Sequence, residues 1–178
     1  MRNLKVTTTL ALACALTVLS GCAPESSTPT PTPTIPSPTV APTPTPTLSV
    51  DQAQAARVVT NFYEVQNQVA SNYEIPLDAF YGVASGDLAA DVLKEYQQLR
   101  GLGVRQVGDD TVEIKSVEPS AAPFLVDVCV DTSSSDLVDA DGQSIAGGGP
   151  TRVLHRFTVE ETLVGLRATS DEVVALEC

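Results

Sequence analysis

The hydrophobic residues between positions 49 and 101 recur every three or four residues, which is the period of an α-helix. A first helix is predicted to begin at Ser49, because Gln52 follows at the spacing of a capping box, and to run to about Ala70. One face of this helix carries the apolar residues Val58, Phe62, Val65 and Val69. The pattern therefore predicts an amphipathic helix that packs against a core.

Two further helices are predicted in the same part of the chain. Pro76 is suited to the first turn of a short second helix. The apolar face of that helix would consist of Leu77, Phe80, Tyr81 and Ala84. A third helix is predicted from Asp87 to Gly101, where glycine favours termination. Its apolar face would consist of Leu88, Val92, Tyr96 and Leu99.

From Gly103 onward the hydrophobic period changes to two, which is the period of β-strands. After the turn residues 108–110, a strand is predicted with one face formed by Val112, Ile114 and Ser116. The next strand follows Pro123, and its apolar face would be formed by Phe124, Val126, Val128 and Val130. A hairpin turn is expected at Asp141-Gly142. A later strand would carry Val153, His155, Phe157 and Val159 on one face, and the last strand or strand pair occupies residues 163–178.

The apolar segment before residue 22 has the composition of an export signal. Arg2 and Lys5 precede an apolar run over residues 6–19, which is shorter than the about 20 residues that a membrane-spanning helix needs. The run ends in Leu19-Ser20-Gly21-Cys22, which resembles the lipobox of bacterial lipoproteins. The resemblance implies cleavage before Cys22 and attachment of lipid to its thiol, so residues 1–21 are predicted to be a signal peptide. An ordinary signal peptide with a chance cysteine is the alternative.

A proline-rich segment follows the predicted lipid site. Residues 23–48 contain nine prolines, eight threonines and three serines among 26 positions, a composition that cannot form a core. Repeated Thr-Pro pairs favour an extended polyproline II conformation. Together with the lipidated cysteine, residues 22–48 are therefore predicted to be a disordered linker, which at about 3.1 Å per residue could span roughly 80 Å. Glycosylation of its threonines, or docking of its prolines to a partner, stays open.

The remaining 130 residues, 49–178, are predicted to form one globular domain that is strongly acidic. They carry 8 lysines and arginines against 21 aspartates and glutamates, a net charge of −13. A negative field of this size disfavours phosphate backbones and anionic lipid headgroups. We therefore exclude DNA and RNA as partners.

The cysteines support an oxidising location. Cys14 would be removed with the signal peptide and Cys22 would carry the lipid, which leaves Cys129 and Cys178 as a pair. Outside the cytoplasm two remaining cysteines usually form a disulfide. The alternative is a pair of free buried thiols. A redox role is not expected, because the two cysteines lie far apart in sequence.

Helices followed by an antiparallel meander predict an α+β domain, with the helices packed on one face of the sheet. This order of elements resembles the nuclear-transport-factor-two-like superfamily, in which a strongly curved sheet wraps the helices to form a cone. The segment Val83 to Ala89, and Cys129-Val130-Asp131 together with the terminal Cys178, are similar to small secreted or lipid-anchored proteins of actinobacteria. The resemblance implies a cone-shaped domain that often holds a pocket between helices and sheet.

Few residues are candidates for chemistry in such a pocket. His155, the only histidine, could act as a general base with a carboxylate from Asp78 or Asp127, although a structural histidine is the simpler interpretation. The stretch around Asp139 and Asp141 has part of the pattern of a calcium loop, but Leu137 occupies the first ligand position and glycine replaces the closing glutamate. No calcium site, zinc site or other cofactor is expected.

These features together predict a lipoprotein anchored through Cys22 on the extracytoplasmic face of the cell membrane. Its domain is expected to bind an envelope protein or a small apolar ligand without transforming it, and so not to be an enzyme. The alternative is a small pocket enzyme of the same fold, similar to isomerases, hydrolases or cyclases, that uses His155 with a carboxylate. A passive envelope component is a third interpretation.

Overall fold

A computed structural model describes residues 47–178. The predicted signal peptide, Cys22 and nearly all of the predicted linker lie outside the described residues. The domain contains two α-helices, a 3₁₀ helix and six strands in the order α1 (Val50–Ser71), 3₁₀ (Leu77–Gly82), α2 (Gly86–Gly101), β1 (Arg105–Val107), β2 (Thr111–Glu118), β3 (Phe124–Asp131), β4 (Asp136–Val138), β5 (Arg152–Thr162) and β6 (Gly165–Ala175).

The α+β class and the order of elements agree with the prediction. At the start of α1 the capping box is present, because the Gln52 backbone N–H donates to Ser49 Oγ at 3.2 Å and the Ser49 N–H donates to Gln52 Oε1 at 2.9 Å. The predicted second helix is a single stretch of 3₁₀ helix that follows Pro76. The expectation that Tyr81 would lie on its apolar face was wrong, since that side chain is 57 % exposed.

Four strands form an antiparallel sheet in the order β2-β3-β5-β6, and β1 pairs with β4 in a separate two-stranded sheet. One face of the larger sheet packs against the helices, and we call it the inner face. On this face the four predicted residues of β5 lie opposite the four predicted residues of β3, as Val153↔Val130, His155↔Val128, Phe157↔Val126 and Val159↔Phe124. The alternation in the sequence thus predicted the inner face of both strands.

Ser116 does not lie on the inner face, contrary to the prediction. The pairing of β2 with β3 shifts between Ile114 and Ser116, so that Lys115 is an extra residue in the ladder, a β-bulge. Val117, 3 % exposed, takes the next inner position. Ser116 lies opposite Asp127 on the outer face and donates a hydrogen bond to its carboxylate at 3.3 Å.

Aromatic rings fill the centre of the core between the helices and the sheet. Phe157 on β5 lies with its ring centroid 5.3 Å from that of Phe62 and 5.9 Å from that of Tyr63, both on α1. Phe62 also contacts Phe80 of the 3₁₀ helix, which stacks on Tyr96 of α2 at 5.4 Å. These five rings therefore join all three helical segments to the sheet.

The outer face of the sheet is polar and carries a bidentate ion pair. Arg156 Nε and Nη2 donate to the two carboxylate oxygens of Asp127 at 2.7 and 2.9 Å. These hydrogen bonds are the main reason why the pKa of Asp127 lies below its ordinary value, and the positive charge of Arg156 lowers it further. Because the folded pKa is lowered, the contribution of Asp127 to stability is present at neutral pH and is lost only as the pH falls through that lowered pKa.

The predicted disulfide is present in the structure. It joins Cys129, on the outer face of β3, to Cys178 at the end of the chain, with a Cα–Cα distance of 5.8 Å. Cys129 is buried and Cys178 is exposed. Within residues 47–178, no helix combines the length and the apolar character needed to cross a membrane.

Candidate functional site

A groove of about 290 Å³ lies where the C-terminal halves of α1 and α2 face β1, β4 and the loop between β3 and β4. The residues that line it are Gln66, Glu95, Tyr96, Leu99, Gln106, Asp110, Thr132, Ser135, Asp136, Leu137 and Ala146. Pockets for small molecules usually have volumes of about 300 to 1,000 Å³, so this groove suits a small ligand or a few side chains of a partner.

A hydrogen-bond network around Asp110 builds one wall of the groove. The Asn67 side chain binds the backbone of Asp110 at both groups, donating to its carbonyl at 2.9 Å and accepting from its N–H at 3.0 Å. Gln106, only 4 % exposed, donates to Asn67 Oδ1 at 2.9 Å and to the Gly108 carbonyl at 3.1 Å. The loop before β2 is therefore fixed to α1 by side-chain amides.

The Asp110 carboxylate accepts hydrogen bonds from two other elements. Gln66 Nε2 of α1 donates to Oδ2 at 3.3 Å, and the hydroxyl of Ser135 donates to Oδ1. Each of these bonds satisfies one oxygen of the carboxylate. The side chain is thus held in one orientation at the groove wall.

Arg100 fixes the two helices that flank the groove to each other. Its Nη2 donates to the carbonyls of Val69, Asn72 and Ile75, at 3.0, 3.3 and 2.7 Å, and these carbonyls lie at or just after the end of α1. The guanidinium also lies 5.5 Å from the centre of the Tyr73 ring. A charged group here satisfies carbonyls that the end of a helix leaves without intrahelical partners.

The electrostatic environment of the groove is negative. Burial raises the pKa of the Tyr96 phenol above its ordinary value, and the carboxylates of Glu95 and Asp110 raise it further. Burial is the larger of these causes, and the two carboxylates add to it because they disfavour a second negative charge nearby. Among the described residues, the ion pairs do not include Glu95, Asp110 or Asp136.

The stretch with part of the pattern of a calcium loop is a hairpin turn. Asp139 Oδ1 accepts from the backbone N–H groups of Asp141, at 3.0 Å, and Gln143, at 2.9 Å. Gly142 has a φ of +80°, which glycine adopts without strain. Across the described part of the chain, no three His, Cys, Asp or Glu side chains lie close enough together to hold a metal ion.

His155 forms a second candidate site on the inner face of the sheet. Its Nδ1 lies 2.8 Å from Oδ1 of Asp171 on the neighbouring strand β6. The two side chains are 20 % and 24 % exposed, so solvent reaches the pair. With Nδ1 engaged by the carboxylate, Nε2 is the nitrogen that could exchange a proton with a substrate. Neither residue lines the groove described above.

Tyr63 lies within electrostatic reach of both candidate sites. Burial raises the pKa of its phenol, and the carboxylates of Asp171 and Asp110 raise it further. The side chain is 4 % exposed and packs edge-on against Phe62 and Phe157.

The two carboxylates that the sequence suggested for His155 lie elsewhere. Asp78 is exposed in the first turn of the 3₁₀ helix, and Asp127 pairs with Arg156 on the outer face. The partner is Asp171, which sequence reasoning missed. The only sequence signal for it was its place in the last predicted strand, and its pairing depends on a register that includes two irregularities between β5 and β6.

A second depression of about 380 Å³ lies near the start of α1. Most of its lining residues are exposed, among them Asp51, Ala121, Ala122 and Glu161. Buried Phe124 and half-buried Leu166 complete its surface. Because exposed side chains form most of its walls, this depression is less defined than the groove at Asp110.

Comparison with known proteins gives a fold but no family. No protein-family model and no curated protein matches the chain. Among solved structures, the chain is similar to the intermembrane space region of the chloroplast protein ARC6, with a TM-score of 0.54 and 16 % identity over 71 % of this chain and 98 % of that one. A de novo designed β-sheet protein is matched at 16 % identity over 71 % of this chain and 90 % of that chain, with a TM-score of 0.29. At these identities the first likeness concerns the fold alone, and the second carries no argument.

Proposed function

We propose that this protein is a lipid-anchored envelope lipoprotein whose domain binds a protein or a small ligand in the groove at Asp110 without transforming it. The observation that carries this proposal is the groove itself. Its walls come from both α-helices, both small strands and three loops, and hydrogen bonds between side chains hold them in place. A concave site with fixed polar groups and an apolar surface is typical of ligand binding.

The anchoring part of the proposal rests on the sequence. Leu19-Ser20-Gly21-Cys22 has the pattern of a lipobox, and residues 23–48 have the composition of an extended tether. The disulfide between Cys129 and Cys178 supports a compartment outside the cytosol, where such bonds persist. Two acyl chains on residue 22 would make the attachment effectively permanent, at about 0.8 kcal/mol for each buried methylene.

The proposed fold family is the nuclear-transport-factor-two-like superfamily, with the sheet curved into a cone around the helices. Three helical segments followed by an antiparallel sheet support it. The net charge of −13 over residues 49–178 favours a partner other than nucleic acid.

Site-specific cross-linking on intact cells tests the binding function. A photoreactive phenylalanine derivative in place of Ala146, an exposed residue of the groove, is expected to cross-link to the ligand or partner. The same derivative in place of Leu125, which is 41 % exposed on the outer face of β3, serves as the matched control and should give no product. The products are measured by mass spectrometry.

Equal cross-linking from both positions, or none from either, would contradict a specific role for the groove. Membrane attachment is measured in the same cells by fractionation, with the variant Cys22→Ala as the control. This variant lacks the proposed lipid site and should leave the membrane fraction, together with its cross-linked product.

A second candidate function is a pocket enzyme based on the contact between His155 and Asp171. A histidine oriented by a carboxylate is a common arrangement for general base catalysis. The 2.8 Å distance between Nδ1 and Oδ1 favours this candidate. The groove does not include the pair, however, so the binding function has the better geometrical support.

Hydrolysis of p-nitrophenyl acetate separates the two functions. If the domain only binds, the natural protein and the variant His155→Gln, which can still donate a hydrogen bond to Asp171, should release nitrophenol at the same rate. A fall of about a hundredfold or more in the variant, the usual contribution of a general base, would establish the enzyme instead. An unchanged urea midpoint of unfolding is the control for folding.

A further inference from the structure

We propose that the ligand of the groove is an organic cation, in which an ammonium or guanidinium group is attached to an apolar body. This inference rests on the proposed binding function and adds the chemical class of the ligand. Three properties of the groove carry it: its carboxylates, the absence of cations from its lining, and its apolar surface.

Three carboxylates from three different elements line the groove. Glu95 belongs to α2, Asp110 to the loop before β2, and Asp136 to β4. The eleven lining residues include no lysine, arginine or histidine. A cleft lined by one sign of charge concentrates ions of the opposite sign. The groove therefore attracts cations more strongly than a mixed surface would.

The ion pairs that the described residues form lie away from the groove, and none of them includes Glu95, Asp110 or Asp136. Within residues 47–178 the ion pairs that form use Lys115, Arg152, His155 and Arg156, all on the larger sheet. Arg100, on the same helix as Glu95, donates to the carbonyls at and just after the end of α1 and does not line the groove. An external cation would supply the missing partner.

The apolar part of the groove indicates an organic cation. Tyr96, Leu99 and Leu137 lie among the carboxylates, and the first of these presents an aromatic ring. A cation close to the face of an aromatic ring is attracted to it, and an apolar chain gains by leaving water beside leucine. A metal ion would gain nothing from these side chains, and the described residues contain no cluster that could ligate one.

Asp110 is the best prepared of the three carboxylates. Its oxygens already accept hydrogen bonds from Gln66 and Ser135, which fix its position and leave further lone pairs free. The pKa of Tyr96 is raised mainly by burial, and Glu95 and Asp110 raise it further. Binding therefore requires little rearrangement of this wall.

Isothermal titration calorimetry on the full mature chain, kept in detergent, tests the ligand class with paired probes. Phenethylamine and 3-phenylpropionate share a ring but differ in charge, as do a short Leu-Lys peptide and its Leu-Glu counterpart. Binding of the two amines, without binding of the two acids, is the expected result. If the Leu-Lys peptide binds at least about tenfold more tightly than phenethylamine, the cation belongs to a basic segment of a protein partner. If the peptide and phenethylamine bind with equal affinity, the ligand is a small amine.

Two double variants with the same change in net charge locate the site. Glu95→Gln with Asp136→Asn should weaken binding of the amines by roughly tenfold, because each exposed charge pair contributes only a few-fold. Glu172→Gln with Glu177→Gln, away from the groove, should change the affinity by less than about twofold. Raising the salt concentration should weaken binding to the natural protein.

Three results would overturn the proposal: no binding of either amine at millimolar concentration, equal binding of the acids, or equal weakening in both double variants. These outcomes concern the charge of the ligand only. The binding function itself is judged by the cross-linking at position 146, so the two proposals can fail separately.

Discussion

Replacing Phe157 with alanine is expected to lower the free energy of unfolding by about 3 to 5 kcal/mol, the usual cost of removing a buried aromatic ring from a core. Phe157 is 0 % exposed and lies at the centre of the ring cluster, in contact with Phe62 and Tyr63 of α1. Its removal leaves a cavity between the sheet and the longest helix. Urea unfolding followed by circular dichroism measures the change.

Two further variants show whether the loss comes from the cavity. Phe157→Leu retains part of the volume and should lose less than Phe157→Ala. Leu163→Ala removes a large apolar side chain that is 106 % exposed at the turn between β5 and β6, so its effect should stay within about 0.5 kcal/mol. If Phe157→Ala and Leu163→Ala lower the free energy of unfolding equally, Phe157 does not stabilise the core as proposed.

The same cluster connects stability to both candidate sites. Phe62 and Phe157 pack against Tyr63, whose phenol lies within reach of Asp171 and Asp110. Tyr96, which lines the groove, stacks on Phe80. Substitutions in the cluster are therefore expected to disturb the groove indirectly, and binding experiments need variants that change the groove surface alone.

Local signals predicted the helices and the alternating strands. Ser49 and Gln52 form their capping box within four consecutive residues, and the inner face of β3 follows from simple alternation. The strands β1 and β4 have only three residues each, which is too short for a period to appear. The bulge at Lys115 also escaped prediction, because an extra residue in a ladder changes the face of every residue after it.

The candidate sites depend on contacts that local patterns do not encode. His155 meets Asp171 across a hairpin whose register shifts twice, so counting residues from the turn gives the wrong partner. The groove joins Gln66, Glu95 and Asp136, which are far apart in the chain. The composition predicted an acidic domain, but it did not predict that three of the carboxylates line one groove.

Removal of the disulfide is expected to destabilise the domain by roughly 4 kcal/mol, according to the chain-entropy description of a loop of this size. The bridge joins residues 49 positions apart, and the loop contains β4, β5 and β6. Without it, the unfolded chain gains conformations that the bridge now excludes. The double variant Cys129→Ala with Cys178→Ser should therefore unfold roughly 15 °C below the natural protein in calorimetry.

Reduction of the natural protein with dithiothreitol should reproduce the loss seen in the double variant, since both open the same loop. Glu177→Gln, next to Cys178 in the chain, keeps the bridge and should unfold at the temperature of the natural protein. The position of the bridge also predicts which part of the domain is affected when the bridge is removed. Cys129 lies on the outer face of the sheet, so the aromatic core that Phe157 fills should stay packed until the whole domain unfolds. If the protein treated with dithiothreitol unfolds at the same temperature as the untreated protein, the predicted contribution of the bridge is wrong.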